Sequence, residues 1–410
     1  MPYVLKKDVP MISYLEALEI LKKSAKPLSS CDVPIIGACG RVLAEDVRAG
    51  VDIQPFDNSA MDGFAVRMAD FEGLPVTLDV AQTIAAGDAS QKQLLQSKTC
   101  MAIMTGAMLP DWAEAVVPVE QAARNGNNVT FQQAPKVGDH IRRRGQDFKA
   151  GDVVVRKGTK LTPEHVMALA AVGCGKVLVN EKPKVCFIAT GRELQEAGSG
   201  ALEAGKIYNS NLPYALCKLA DMGLDCVSFH AIGDDPALYS RTVSSALDAG
   251  CEIIISSGAV SAGDFDFVKK ALEDMGAKIL FHKVAIKPGK PVLFAQFPNG
   301  TLYFGLPGNP TSAAVGLRFF VQPFLDACLG VVDEGKACAV LDASFRKKND
   351  LRHFLKAHVS ADVNGQQRVT LLDGQESFKV SPFLKMNAWA VIPEELKSLE
   401  AGSVIETYAL

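Results

Sequence analysis

Residues 184–190 read KVCFIAT and residues 251–258 read CEIIISSG. Each is a short apolar run stopped by polar or glycine residues, which is how a strand buried within a sheet reads. Between and beyond them the pattern changes period. NSNLPYALCKLADMG (209–223) and DPALYSRTVSSALDAG (235–250) read as helices. The first has Asn209 or Ser210 as its cap, and the second has Pro236 at its start and Gly250 past its end. LDCVSFHAI, KILFHKVAI, VLFAQF and LYFG supply further strands, the last two joined by the turn PNG. DFVKKALEDMG and TSAAVGLRFFVQPFLDACLG supply further helices. Strands alternating with helices predict a mostly parallel, doubly wound sheet covered on both faces.

In such a sheet ligands bind beyond the carboxyl ends of the strands. The loops expected there hold Thr190 and Glu193; Asp234 and Asp235; Ser261, Asp264 and Asp266; Lys283, Lys287 and Lys290; and Asn309 and Thr311. An aspartate before Pro236 is explained by helix capping, and Asp264 has the same plain explanation. Five loops bringing carboxylates and lysines to one edge need more. Clustered carboxylates repel unless a hard cation sits among them, and Mg2+ takes oxygen ligands that it shares with phosphates. HKVAIKPGKP (282–291) adds three cations, and GLPGNPTSA (305–313) opens a helix, a ready anion site. Carboxylates for Mg2+ beside lysines for phosphate point to a phosphate-ester substrate.

Residues 50–182 are rich in turns and read as mostly β, with a helix near 163–173. The tail, 332–410, is strand-like and suggests a small β-barrel. Two short stretches stand out in the β-rich part. PFDNSAMDGFAV (55–66) crowds Asp57, Asn58, Ser59 and Asp62 into one turn. Asp57, Asn58 and Ser59 are expected to hold that turn by local side-chain-to-backbone hydrogen bonds, leaving Asp62 for chemistry. IRRRGQD (141–147) sets three arginines beside Asp147: a solvated surface turn explains a charge run, and bidentate grip on an anion is the functional alternative. IMTGAMLP (103–110) reads as a strand end turning.

Composition bounds the rest. The 410 residues suit roughly two to four domains. With 48% hydrophobic and 22% charged residues and a net charge of −3, the chain is ordinary globular protein without bulk attraction for nucleic acid or anionic membrane. Its ten cysteines include no C-x-x-C pair and read as buried thiols in a reducing, cytoplasmic setting. The N-terminus has no signal-peptide h-region and leads into an amphipathic helix carrying Ile12, Tyr14, Leu15, Leu18 and Leu21. No unbroken apolar run approaches the roughly 20 residues of a membrane span. The six histidines lack metal-ligand spacing, the weak His353/His358 pair aside, and no P-loop or strand-borne G-x-G-x-x-G is present.

PFDNSAMDGFAV, IMTGA, IRRRGQD, IATGREL, GDDP, SSGAVSAGDFD, AIKPGKP and GLPGNP together resemble, in order and spacing, the MoeA family of molybdopterin molybdenumtransferases, which includes the homologous domain of gephyrin and its plant counterparts. The resemblance spans the chain. It implies an elongated dimer whose subunit has four parts. Residues 1–27 and 183–331 would form an α/β domain like that of molybdopterin adenylyltransferase. Residues 28–49 and 149–182 would form a linking domain, 50–148 a β-rich domain and 332–410 a C-terminal β-barrel. The implied reaction inserts molybdate into adenylylated molybdopterin, requires Mg2+ and releases AMP. The resemblance also implies Asp62, Asp147, Glu193, Asp234, Asp266, Lys283 and Lys287 as catalytic residues, with Glu193, Asp234 and Asp266 as the metal ligands. Thr105, Arg142, Pro307, Pro310 and Ser377 are implied at the substrate, where the reading of the sheet-edge loops adds Ser261, Lys290 and Asn309. The first motifs would face the α/β loops across the dimer cleft, from opposite subunits. A molybdopterin adenylyltransferase upstream and cofactor-accepting molybdoenzymes downstream are the implied partners. Two positions depart from the family pattern: Arg192 stands where T-G-[DN]-E-L has Asp or Asn, and Ala259 where S-G-G-V-S has glycine. An adenylyltransferase and a non-catalytic molybdopterin-binding paralogue are the competing readings.

Overall fold

The computed structural model describes residues 11–89, 96–231, 235–258, 267–331 and 336–410. At its centre is a six-stranded sheet in the order Cys226–Ala231, Val185–Thr190, Ile253–Ser257, Leu302–Leu306, Leu293–Gln296, Lys278–His282. The first four strands are mutually parallel, and Leu293–Gln296 is antiparallel to both its neighbours. Lys278–His282 therefore runs with the parallel set, so Thr190, Gly258, Lys283 and Pro307 all leave the sheet at one edge.

Period-two alternation sorts the core onto two faces. Val185, Phe187 and Ala189 pack with Leu212, Ala215 and Leu219 of helix Asn211–Asp221 and with Tyr14, Ala17 and Leu21 of helix Tyr14–Ser24. Cys186, Ile188 and Ile254 face the other way, onto Tyr239, Val243 and Ala246 of helix Pro236–Asp248 and Val268 and Leu272 of helix Phe267–Asp274. Helix Tyr14–Ser24 begins in a capping box between Ser13 and Glu16. Helix Asn211–Asp221 lacks a side-chain cap from Ser210, and Asn209 Oδ1 instead accepts from Leu212 N at 3.2 Å.

Helix Pro310–Leu329 is long and apolar enough to cross a membrane, although Arg318, Gln322 and Asp326 interrupt its apolar run. It is the core helix of the molecule: 72% of its most apolar stretch is buried in the protein. Its middle, Leu317–Val321, widens into a π-helical segment around the buried Arg318, whose Nε donates to Ala409 O.

The β-rich part contains the mixed sheet Ala115–Pro118, Gly63–Val66, Thr99–Ile103, Val76–Ile84, Asn128–Phe131, Ala122–Asn125, packed around Phe64, Leu78 and Phe131. Ser30–Pro34 pairs with Lys176–Asn180, and Val47–Arg48 with Val153–Val155, beside helix Pro163–Ala171. At the C-terminus, Arg352–Ala361, Gln367–Leu371, Lys336–Leu341, Val404–Ala409 and Ala388–Ile392 pair in sequence, and the last pairs back with the first. This closes a five-stranded barrel around Leu341, Leu355, Val369 and Ile405, removing the free edges an open sheet would leave. Ile286–Lys287 pairs in parallel with the start of Arg352–Ala361, stitching the α/β sheet edge to the barrel.

The cysteines differ from the sequence expectation. Cys100, Cys186, Cys251 and Cys328 are buried, but Cys39, Cys217 and Cys338 are exposed. Cys39 lies in a turn, Cys217 on helix Asn211–Asp221 and Cys338 on strand Lys336–Leu341, all outside the two-faced strands that bury Cys186.

Candidate functional site

The DNSAMDG turn is built by its short polar side chains. Asn58 Nδ2 donates to Gln54 Oε1 at 2.8 Å and to Phe56 O at 3.2 Å, and Ser59 Oγ donates to Met61 O at 2.5 Å. Gly63 is required by packing, because a Cβ there would lie 2.2 Å from Val117 O. Asp62 is left pointing at the IMTGA turn. Its Oδ1 accepts from Thr105 N at 2.7 Å and from Thr105 Oγ1 at 2.9 Å. These bonds hold its carboxyl below the ordinary aspartate range.

Asp57 departs from its expected local role. Its Oδ2 pairs with Arg143 at 2.6 Å and its Oδ1 accepts from Arg144 N at 2.8 Å. Partial burial raises its carboxyl, but the bonds from Arg144 and Arg143 prevail and lower it. Asp52 does the same for the rest of the turn, pairing with Arg144 Nε at 2.6 Å and accepting from Ala150 N at 2.8 Å. The arginine run therefore divides. Arg143 and Arg144 are structural clasps, whereas the exposed Arg142 side chain has no hydrogen-bond or ion-pair partner among the described residues. Asp147 is likewise exposed. Antiparallel pairing of Ile141–Arg142 with Asn58–Ser59 brings these two motifs together.

The second group lies at the α/β sheet edge. Glu193 is exposed, with no side-chain partner among the described residues. Its carboxylate folds back over Gly191 (φ +146°), where a Cβ would sit 2.6 Å from both oxygens, so only glycine admits this pose. Its expected co-ligands Asp234 and Asp266, together with Ser261, Asp264 and Ala259, lie outside the described residues. Among the described residues, no three His, Cys, Asp or Glu side chains are grouped to hold a metal. Asp235 caps helix Pro236–Asp248 by accepting from Ala237 N at 2.9 Å, as the plain reading expects.

A cavity of about 760 Å3 opens where this edge meets the barrel. Lys287 and Lys290 line it from the KPGKP loop, and Ser377 and Phe378 line it from the loop after strand Gln367–Leu371. Lys283 does not line it; it is half-buried at the end of its strand with φ +70°. Pro307 is buried at the strand end, Pro310 opens helix Pro310–Gly316, and Asn309 at its N-cap makes no side-chain cap bond. None of Asp62, Thr105, Arg142 or Asp147 lines this cavity of their own chain.

One cavity-shaping residue escaped the sequence reading. Lys356 is fully buried within the strand Arg352–Ala361. Its ammonium donates to Thr311 Oγ1 at 3.2 Å, Lys379 O at 3.1 Å and Glu376 O at 3.3 Å. Thr311 N also donates to Ser377 O at 3.0 Å. The first turn of the core helix is thus tied to the barrel loop that carries Ser377. Burial lowers the lysine below its ordinary pKa.

Residues 12–173 match the family model for the MoeA N-terminal region (domain I and II). Residues 186–327 match the probable molybdopterin binding domain, and residues 338–410 the MoeA C-terminal region (domain IV). The molybdopterin molybdenumtransferase of Synechococcus elongatus is 34% identical over 98% of this chain and 100% of its own length. That of Bacillus subtilis is 35% identical over 89% of this chain and 86% of its own. The crystal structure of the molybdopterin biosynthesis moeA protein from Pyrococcus horikoshii OT3 superposes with a TM-score of 0.82 at 30% identity, covering 98% of this chain and 100% of that one.

Proposed function

The chain belongs to the MoeA family of molybdopterin molybdenumtransferases, and from that premise we propose that it is a transferase of molybdenum cofactor biosynthesis that inserts molybdate into adenylylated molybdopterin and releases AMP. The observation that carries the reading is the cavity shared by Lys287, Lys290 and Ser377. It combines two ammonium groups, a hydroxyl and room for an organic phosphate ester.

The division of labour follows from the side chains. Lys287 and Lys290 offset the charge of the substrate phosphates, and the Ser377 hydroxyl is a donor to an oxyanion. Glu193, with Asp234 and Asp266, would hold Mg2+; an exposed carboxylate with no side-chain partner among the described residues fits a hard cation. The chemistry that Mg2+ would supply there is neutralisation of charge on phosphate oxygens. Asp62 is kept ionised by Thr105, and the Arg142 guanidinium, without a partner among the described residues, is suited to an incoming oxyanion such as molybdate.

Asp62, Arg142 and Asp147 stand apart from the cavity of their own chain, which supports a homodimer in which one subunit's β-rich domain completes its partner's site. The pairing of Ser30–Pro34 with Lys176–Asn180 supports a linking domain of 28–49 and 149–182 between 50–148 and the α/β domain of 1–27 and 183–331, with 332–410 as the barrel. The protein would work in the cytoplasm, between a molybdopterin adenylyltransferase and acceptor molybdoenzymes. The test is AMP release from adenylylated molybdopterin by purified protein, omitting Mg2+ and molybdate in turn. Release that needs both is expected; binding without molybdate-dependent release would refute the reading.

A further inference from the structure

Phe378 stands at the rim of the 760 Å3 cavity, 65% exposed. Most large aromatics of the surrounding core, such as Phe354 and Trp389, are fully buried. An exposed ring normally belongs to a loop with room to move, yet the backbone on both sides of Phe378 is anchored. Ser377 O accepts from Thr311 N at 3.0 Å. Lys379 O accepts from the buried Lys356 ammonium at 3.1 Å, and Lys379 N donates to Glu376 O at 3.1 Å. The ring is therefore presented by a fixed support, which lowers the ordering cost of a ligand that lands on it.

The cavity also sets what such a ligand is. Its volume lies in the range of roughly 300–1,000 Å3 used by organic ligands, far above the need of a tetrahedral oxyanion. Its lining is divided: Lys287 and Lys290 are cationic, Asp373 and Glu376 are anionic, the latter paired with Lys379 at 3.3 Å, and Leu351, Leu372 and Phe378 are apolar. Charge for a phosphate and a flat apolar face for a ring occur in the same cavity.

We infer that Phe378 is a stacking platform for a planar heteroaromatic ring whose attached phosphate is held by Lys287 and Lys290, making it a specificity residue for the ring-bearing substrate and not for molybdate. The inference rests on the transferase reading and adds the residue that recognises the ring. Adenylylated molybdopterin carries two such rings, pterin and adenine, and both meet the same chemistry.

Calorimetric titration of the full-length protein with AMP, and anaerobically with molybdopterin, separates them. Phe378→Ala should weaken binding of one of the two about tenfold, the scale of one aromatic–base stack. Phe378→Trp should restore it, with half-saturation by molybdate in turnover unchanged for both variants. Weakened AMP binding assigns the adenine, and weakened molybdopterin binding the pterin. If wild type binds and Phe378→Ala binds both equally well, stacking is overturned and the transferase reading stands. Loss of binding that Phe378→Trp does not restore, or that accompanies a changed elution volume in size-exclusion chromatography, overturns it in favour of a packing role. Wild type that binds neither compound overturns the transferase reading and the stacking with it.

Discussion

Thr105 donates twice to a single oxygen of Asp62, from its backbone nitrogen at 2.7 Å and from its hydroxyl at 2.9 Å. Both bonds favour the charged carboxylate, and they hold Asp62 below the ordinary aspartate range although it is exposed. The turn that carries it is closed by Asn58 and Ser59, so its position is set independently of its charge.

Asp62→Asn should therefore leave folding intact and slow turnover by about 100-fold or more, the scale on which removing one preorganised polar group slows an enzyme. Thr105→Val removes only the hydroxyl donor. The Asp62 pKa then rises toward its ordinary value, and the acid limb of kcat/KM moves to higher pH. Near-wild-type turnover in Asp62→Asn, or an unmoved acid limb in Thr105→Val, would remove Asp62 from the chemistry.

Asp57 clasps Arg143 and the Arg144 backbone across 86 and 87 residues of sequence. Its side chain is 37% exposed and that of Arg143 53%, so screening limits what the pair contributes to stability. Asp57→Asn should cost about 1 kcal/mol or less in urea unfolding. Its larger effect should be on KM for molybdate, because the clasp fixes the turn that presents Arg142. A stability loss with KM unchanged would make the clasp purely structural.

His353 is 5% exposed and faces Lys287 and Lys347; burial first, then these two charges, push its pKa down to about 4. Its Nε2 meets Asn349 Oδ1 at 2.9 Å. Well above pH 6.5 the imidazole is neutral in both folded and unfolded chains and adds no pH dependence. As pH falls from 6.5 toward 4, the unfolded chain takes up a proton that the folded chain refuses, and stability is lost. The full loss is on the order of 3 kcal/mol. His353→Asn should flatten the pH dependence of the urea midpoint in that window, and an unchanged slope would refute the assignment.

The strands of the α/β sheet are legible because burial on two faces leaves a direct mark: Val185, Phe187 and Ala189 on one side, Cys186 and Ile188 on the other. The DNSAMDG turn is legible because Asn58 and Ser59 act within four residues of themselves. Asp57 misleads for the opposite reason, since its partners are remote and no local pattern encodes them. Lys356 was invisible because a lysine within a strand is ordinarily exposed, and only barrel closure places it against Thr311 and two carbonyls. Closure itself depends on the pairing of Arg352–Ala361 with Ala388–Ile392, a register that alternation cannot specify.

Behind the sheet edge, Tyr303 joins two buried hydroxyls, those of Tyr239 and Ser256. Tyr303 and Ser256 lie on the neighbouring strands Leu302–Leu306 and Ile253–Ser257, which lead toward the GLPGNP and SSGAVSAGD motifs. Tyr239 belongs to the helix that follows GDDP, and its ring meets Phe267 edge-on at 5.5 Å. Tyr303→Phe strips a partner from both neighbours in a fully buried setting, at a cost of about 2–4 kcal/mol. Tyr239→Phe leaves Tyr303 bonded to Ser256 and should cost about 1 kcal/mol. The double variant orphans Ser256 alone and should lose less than the sum of the two single losses. Urea midpoints of the three proteins test this directly. Equal single losses that add would mean that the hydroxyls act independently, not as a chain centred on Tyr303.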